Sequence, residues 1–396
     1  MKKLILSILA LLLLSTGVWA APSISGLAGT ADDGNTITIS GSSFGANGLD
    51  ISWTGGSSGI IESTTNGQAP TNSGKWNWRY GGVQTYSTTA STTQAHSHNK
   101  SVFVDTSKSI NQMIRHENGT GYDSAYISWW VYLASGSYSG QWKILRLKTH
   151  DGLWTNDDDG EICWFNYFSS HQFHLRPCTQ ENVSYNVFPG QSCSSAHSYQ
   201  TATLGVWPIT SLDSGKWVRM EVWFVESDAD STNGQVDMGI TRPTGSSSTI
   251  VTQEWNNHMT RTDSQKKEYI IWQNYYNGGG DFYIDDLYVS AGTQARVELG
   301  NASTLAASNH REMQIPTSWA SGQIEFTLNR GSFGASDSVY LFVIDSDGTV
   351  NSGEPITLGE TLGELEAPTQ SIRAVTISEL KVTDNLTAWN RTDGLR

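Results

Sequence analysis

Residues 125–133 read AYISWWVYL, and the run divides cleanly into two sets. Successive side chains of a strand point to opposite sides, so Ile127, Trp129, Val131 and Leu133 share one face and Tyr126, Ser128, Trp130 and Tyr132 the other. One face is apolar; the other mixes aromatics with a hydroxyl. Working outward, the same alternation returns in QWKILRLKTH (141–150), EICWFNYF (161–168), HQFHLRP (171–177), KWVRMEVWFV (216–225), EYIIWQNYY (268–276) and DFYIDDLYVS (281–290). Turn clusters such as DSGK (213–216) and NGGGD (277–281) separate the runs, and none carries a helical apolar period. Strands without helices over residues 51–291 predict an all-β protein with a large central two-sheet jelly roll.

The flanks have a different texture. ITISGSSFGANG near the start and IEFTLNRGSFGASD at 324–337 place a β-run before a Gly-Ser-Ser-Phe-Gly and a Gly-Ser-Phe-Gly turn respectively. They suggest two small sandwich pieces, or two parts of one, on either side of the middle. The predicted division is 22–50 as an N-terminal β segment, 51–291 as the jelly roll, 292–360 as a smaller β-sandwich and 361–396 as terminal strands or tail. Within the smaller sandwich, VYLFVID and TVNSG form a hairpin turning at Asp347–Gly348.

Residues 1–21 have the form of a secretory leader: Lys2 and Lys3, an apolar run, then Val18 and Ala20 before a cut after Ala20 or Ala21. No later stretch is apolar for long enough to span a bilayer. The expected location is outside the cytoplasm, secreted or at the cell surface or periplasm of a bacterium. Net charge is −14 and only 16% of residues are charged, which disfavours a phosphate-backbone partner and so nucleic acid. Of the three cysteines, Cys163, Cys178 and Cys193, the last two are the better disulfide pair. Closing that loop is worth roughly 3 kcal/mol in the chain-entropy model. The cysteine spacings do not suit a zinc site.

The strands AYISWWVYL, QWKILRLK, GKWVRMEVWF and DFYIDDLYVS resemble successive strands of the concanavalin-A-like lectin/glucanase superfamily in secreted bacterial proteins. ITISGSSFG resembles the opening of an IPT/TIG-type immunoglobulin-like domain, and the C-terminal part resembles the small Ig-like accessory sandwiches appended to such proteins. The superfamily resemblance implies a glycan partner, an extracellular polysaccharide, and leaves open lectin, hydrolase or lyase activity.

Alternation supplies the candidate face. Trp130 and Tyr132, then Arg146 and Lys148, His174 and Arg176, Arg219 and Trp223, and Trp272, Asn274 and Tyr276 all fall opposite apolar partners in their strands. Such a face could stack pyranose rings on aromatics while bases and amides address hydroxyls or carboxylates. The plainer reading is that these aromatics lie under loops or against a neighbouring domain, and that Arg219 and Glu221 pair with each other or with adjacent strands. The leading expectation is a carbohydrate-binding module. The alternatives are a polysaccharide lyase and a structural or adhesive surface protein.

A lyase would use His174, Arg146 and Tyr276 to neutralise a uronate carboxylate and move protons. YIIWQNYY is similar to a Tyr- and Gln-containing strand of jelly-roll alginate lyases, although their Gln-Ile-His triplet and Arg-x-Glu-Leu strand are missing here. The Glu-x-Asp-x-Glu strand of the retaining glycosidases is missing too. No organic cofactor is expected. DDDGE (157–161) and DSDG (345–348) are acidic turns that can hold a structural Ca²⁺, without matching an EF-hand loop. His171 and His174 sit on opposite faces of one strand, which argues against a shared metal.

Overall fold

The computed structural model describes residues 20–47, 49–57, 59–80, 88–105, 113–134, 141–149, 162–167, 172–176, 213–229, 231–243, 250–258, 260, 264–273 and 281–363. Residues 1–19 of the leader, both cysteines of the expected disulfide, Asn274, Tyr276, the DDDGE turn and the chain beyond 363 lie outside these residues.

The first strands are β1 (Ser23–Thr30), β2 (Thr36–Ser42) and β3 (Ile51–Trp53), followed by a single helical turn, α1 (Ile60–Ser63). Next come β4 (Trp76–Tyr80), β5 (Thr88–Ser91), β6 (Ser101–Val104), β7 (Met113–Glu117), β8 (Ser124–Leu133) and β9 (Gln141–Lys148). The middle continues with β10 (Ile162–Tyr167), β11 (Gln172–Arg176), β12 (Trp217–Val225), β13 (Gly234–Thr241), β14 (Ile250–His258), β15 (Tyr269–Gln273) and β16 (Phe282–Ala291). The last group is β17 (Arg296–Gly300), β18 (Arg311–Ala320), β19 (Gln323–Thr327), β20 (Ser338–Ile344), β21 (Glu354–Thr357) and β22 (Thr361–Leu362).

The central domain is the two-sheet jelly roll that the alternation predicts. One sheet runs β14-β13-β12-β8-β16-β6-β5, with β3 also on β16; the other runs β11-β10-β9-β15-β7-β4. Their inner faces share one core. It takes Ile127, Trp129, Val131 and Leu133 from β8, Val218, Met220, Val222 and Phe224 from β12, and Leu145 and Leu147 from β9. Ile270 and Trp272 of β15 complete it from the middle of the six-stranded sheet. Burying side chains of this size stabilises by about 1.5–3 kcal/mol each, which is what favours the two sheets packing face to face.

The flanks form one smaller β-sandwich. Its strand order is β21-β20-β17-β18-β19-β2-β1-β22, so the N-terminal pair β1–β2 is built into the same sheet system as the C-terminal strands. Of the two arrangements open from the sequence, the pairing of β2 with β19 gives two parts of one. Strand β18 serves both halves, bonding β17 through Arg311–Gln314 and β19 from Ile315 onward. The switch is marked by a bulge between Pro316 and Ser318, where proline lacks the amide a regular ladder would use. The Gly-Ser-Ser-Phe-Gly and Gly-Ser-Phe-Gly turns deliver Phe44 and Phe333 into this second core. At Gly41 a β-carbon would lie 2.0 Å from the Ser23 carbonyl oxygen, so only glycine fits there.

Candidate functional site

The outer face of the six-stranded sheet carries the bases. Direct cross-strand partners share a face. The register aligns Arg176 with Cys163, Cys163 with Arg146, Arg146 with Ile271, Ile271 with Arg115, and Arg115 with Asn77. Three arginine positions thus stand in one transverse row on alternate strands, spaced about 10 Å apart by two inter-strand steps. A second row sets Tyr269 between Lys148 and Glu117. The Arg115 guanidinium lies 4.7 Å from the Tyr269 ring centroid and donates to Glu117 Oε2 at 2.8 Å. Arg115, Arg146 and Lys148 are each sheltered to 8% exposure. Beside them a cleft of about 480 Å³, lined by Thr149, Lys266 and Tyr269 among others, opens along the strand ends.

The inner face of the same sheet is inert by construction. Burial and nearby Lys75 push the His116 imidazole down to about 3, so it stays neutral, and its Nδ1 sits 2.5 Å from the Tyr122 hydroxyl.

This geometry redistributes the residues singled out in the sequence. Arg146 and Lys148 lie together on the outer face. His174 and Arg176 occupy alternate positions of β11, at the edge of that sheet. Trp272 requires a correction: it is 1% exposed and packs in the core against Trp76 and Trp129. The outward positions of β15 are Tyr269, Ile271 and Gln273, which share register with Lys148, Arg146 and Met113. Over Tyr269–Gln273 the alternation stands, but the face assigned to Trp272 is reversed.

Trp130, Tyr132, Arg219 and Trp223 are corrected differently. They belong to β8 and β12, in the other sheet, and face away from the arginine row. Arg219 is fully buried against the smaller sandwich. Its Nη1 donates to Glu298 Oε2 at 2.7 Å, its Nη2 to the Tyr126 hydroxyl at 3.0 Å and its Nε to Ser128 Oγ at 3.0 Å. Arg311 Nη2 donates to Glu221 Oε1 at 2.9 Å, and Arg296 Nε to Glu298 Oε1 at 2.6 Å. Trp223 packs on the seam cluster of Tyr126, Tyr288 and Met313. Trp130 stacks on His96 with centroids 3.7 Å apart, and half-buried Tyr132 leans on Trp217. Arg219, Trp223 and Trp130 thus join the jelly roll to the smaller sandwich, while Tyr132 packs within its own sheet on Trp217 and Tyr283.

Burial raises the Glu298 carboxyl, but Arg219, Arg311 and Arg296 outweigh that and hold it well below the usual carboxylate range. The seam is therefore an ionised network out of water, with partners drawn from the opposite domain and from alternate positions of the same strands.

The DSDG turn forms the hairpin end as expected. Asp345 Oδ1 accepts the amides of Asp347 and Thr349 at 3.0 and 2.9 Å, and Gly348 takes φ +83°. Its carboxylate is thus engaged in shaping the turn. The residues missed in the sequence are His96, His310 and Glu312, which come together at the seam from segments more than two hundred positions apart. Their one local signal is the spacing of His310 and Glu312, two apart and so on one side of a strand.

No protein-family model matches the chain, and no curated protein matches it. Among solved structures, the chain is similar to a marine alginate lyase from Aplysia kurodai at 13% identity and a TM-score of 0.39, over 52% of this chain and 87% of that one. An alginate lyase from Chlorella virus matches at 8% identity and a TM-score of 0.32, over 55% and 90% of the respective chains. Lectin II from Ulex europaeus matches at 7% identity and a TM-score of 0.26, over 54% and 96%. At such identities and TM-scores the likeness says nothing of site or activity.

Proposed function

We propose that this is an exported protein that binds an acidic, uronate-containing polysaccharide along the outer face of the six-stranded sheet. The transverse row Arg176–Arg146–Arg115 carries the reading. A guanidinium grips a carboxylate through two parallel hydrogen bonds, and a row of them matches a polymer that repeats that group. Tyr269 offers a ring face to a pyranose, and the neighbouring cleft gives polar partners for hydroxyls. In a chain of net charge −14, a row of bases on one face is a local exception to the overall field.

A second reading is favoured by the place of His174 on β11, two residues from Arg176. There it could take the C5 proton of a uronate whose carboxylate Arg146 neutralises. The C5–H and C4–O bonds break, a C4–C5 double bond forms, and the glycosidic oxygen leaves with a proton.

The test is affinity electrophoresis through alginate, pectate and neutral glucan, with ultraviolet absorbance of unsaturated uronate followed in parallel. Retardation by polyuronates alone, weakened tenfold or more in Arg146→Gln, is expected. Equal retardation by neutral glucan, or none by any polyuronate, refutes the proposal. A rising absorbance that His174→Ala abolishes selects the lyase reading.

A further inference from the structure

The seam holds a second constellation, unrelated to the arginine row. His96 lies on the turn between β5 and β6 of the jelly roll, while His310 and Glu312 stand at the start of β18 in the smaller sandwich. Glu312 Oε1 is 2.7 Å from His310 Nε2 and 3.3 Å from His96 Nε2, and the three ligand atoms all lie within 4.8 Å of one another. Metal–ligand bonds of about 2.0–2.1 Å set tetrahedral ligand atoms about 3.4 Å apart, a spacing that the triangle's sides of 2.7 Å, 3.3 Å and at most 4.8 Å bracket.

The surroundings are built to hold these groups still. Trp130 stacks on His96, and Phe333 stacks on His310 with centroids 3.9 Å apart. Asp286 Oδ2 lies 3.1 Å from His96 Nδ1. Asp286 itself sits at φ +51°, where β16 slips register between Asp285 and Tyr288, an uncommon conformation for a non-glycine residue. Gly331, at φ +57°, closes the loop over Glu312 so tightly that a β-carbon would lie 2.1 Å from the carboxyl carbon.

In the neutral tautomer whose Nδ1–H donates to Asp286, His96 Nε2 turns a lone pair toward Glu312 Oε1, 3.3 Å away, a position that either a second ring proton or a cation between them fills. The Ser332 hydroxyl is 3.2 Å from that Nε2, 2.8 Å from His310 Nε2 and 3.2 Å from Glu312 Oε1, but it has one proton to give. Glu312 Oε2 is buried with no hydrogen-bond partner among the described residues. A divalent cation among Nε2 of His96, Nε2 of His310 and Glu312 Oε1 would meet a lone pair from each.

We infer that His96, His310 and Glu312 bind a zinc-type divalent transition-metal ion that ties the jelly roll to the smaller sandwich. Imidazole nitrogens with one carboxylate suit such an ion better than Ca²⁺, which prefers oxygen throughout. Asp286 is the outer partner that orients His96, and Ser332 Oγ or a water fills the fourth position. The chain Ser332–His96–Asp286 also has the spacing of a nucleophile relay. However, the Ser332 amide donates to Glu312 at 3.1 Å, and a buried carboxylate there opposes the oxyanion that acyl transfer would generate.

The test uses the full-length protein, stripped with a chelator and titrated with Zn²⁺ or Co²⁺. One ion per chain, a visible Co²⁺ absorption of tetrahedral form and a rise of melting temperature with free Zn²⁺ are expected. His310→Ala, at a half-open position, should lose the Co²⁺ spectrum, and Asp286→Asn should weaken binding about 10–100-fold. Wild-type protein that takes up no stoichiometric ion overturns the inference however the variants fold. So does a His310→Ala protein that binds Co²⁺ with the wild-type spectrum.

Discussion

Replacing Glu298 with Gln keeps the shape of the side chain and removes its charge. The site then holds three guanidiniums, from Arg219, Arg296 and Arg311, against the single carboxylate of Glu221. Glu298 is 0% exposed, so water cannot make up the difference. The amide nitrogen of glutamine would also turn a donor toward Arg219 Nη1 or Arg296 Nε, which now lie 2.7 and 2.6 Å from carboxylate oxygens. Removing one member of a buried ion pair costs about 3–5 kcal/mol, much of it from the charge left behind. Urea unfolding followed by tryptophan fluorescence should register that loss. The triple change Arg219→Met, Glu298→Leu and Arg296→Met removes the stranded charges together and should recover most of the stability. The pH dependence has a definite sign. Because the folded carboxyl titrates below its unfolded value of about 4.3, its contribution is full at neutral pH and is lost as pH falls through the folded value. The gap between wild type and Glu298→Gln should therefore narrow below about pH 4.3. A cost under about 1 kcal/mol at pH 7, or a triple variant no better than the single one, would refute this account of the seam.

Two other outcomes follow from packing and burial. Trp272→Ala should lower stability by about 3–5 kcal/mol through the cavity it opens between the sheets, while any polysaccharide affinity of the folded fraction stays within a few-fold; selective loss of binding at unchanged stability would count against its place in the core. His116 titrates near 3 when folded and 6.5 when unfolded, so the unfolded chain binds the extra proton between those values and stability falls as pH drops through that window. His116→Phe should flatten the fall, measured by urea midpoints from pH 7 to about pH 4, and an unchanged slope would show that the imidazole is not held neutral.

The fold was legible wherever alternation was strong. In 125–133 and 216–225 the apolar sets are the inner sets, residue for residue, because four consecutive inward positions in each are large and apolar. What alternation cannot encode is which sheet a strand joins. Arg146 and Arg219 both oppose leucine, valine or methionine, yet one lies on the outer face of the six-stranded sheet and the other under a second domain. In 268–276 both faces are rich in aromatic and aliphatic groups, so parity is visible and inward direction is not. The His96–His310–Glu312 cluster depends on long-range closure between loops, and no local pattern announces it. The plainer reading of Arg219 and Glu221 was closer, since they do lie 3.3 Å apart and bond to adjacent strands and the neighbouring domain.

The side chain of Asn47 donates to the Ala295 carbonyl at 2.8 Å, which brings the chain's exit from the smaller sandwich beside its return. The jelly roll is thus a guest threaded through a host, entering and leaving by one doorway. During synthesis the host's first hairpin, β1–β2, must wait for more than two hundred and fifty residues before β19 arrives to pair with it. The guest can fold meanwhile on contacts of its own. Such an order makes the host slow to close, and it leaves Ile37 and Ile39 uncovered until the last strands arrive. It also means that the host's doorway is indifferent to what hangs from it: any domain whose ends meet at a similar spacing could occupy the place of this one.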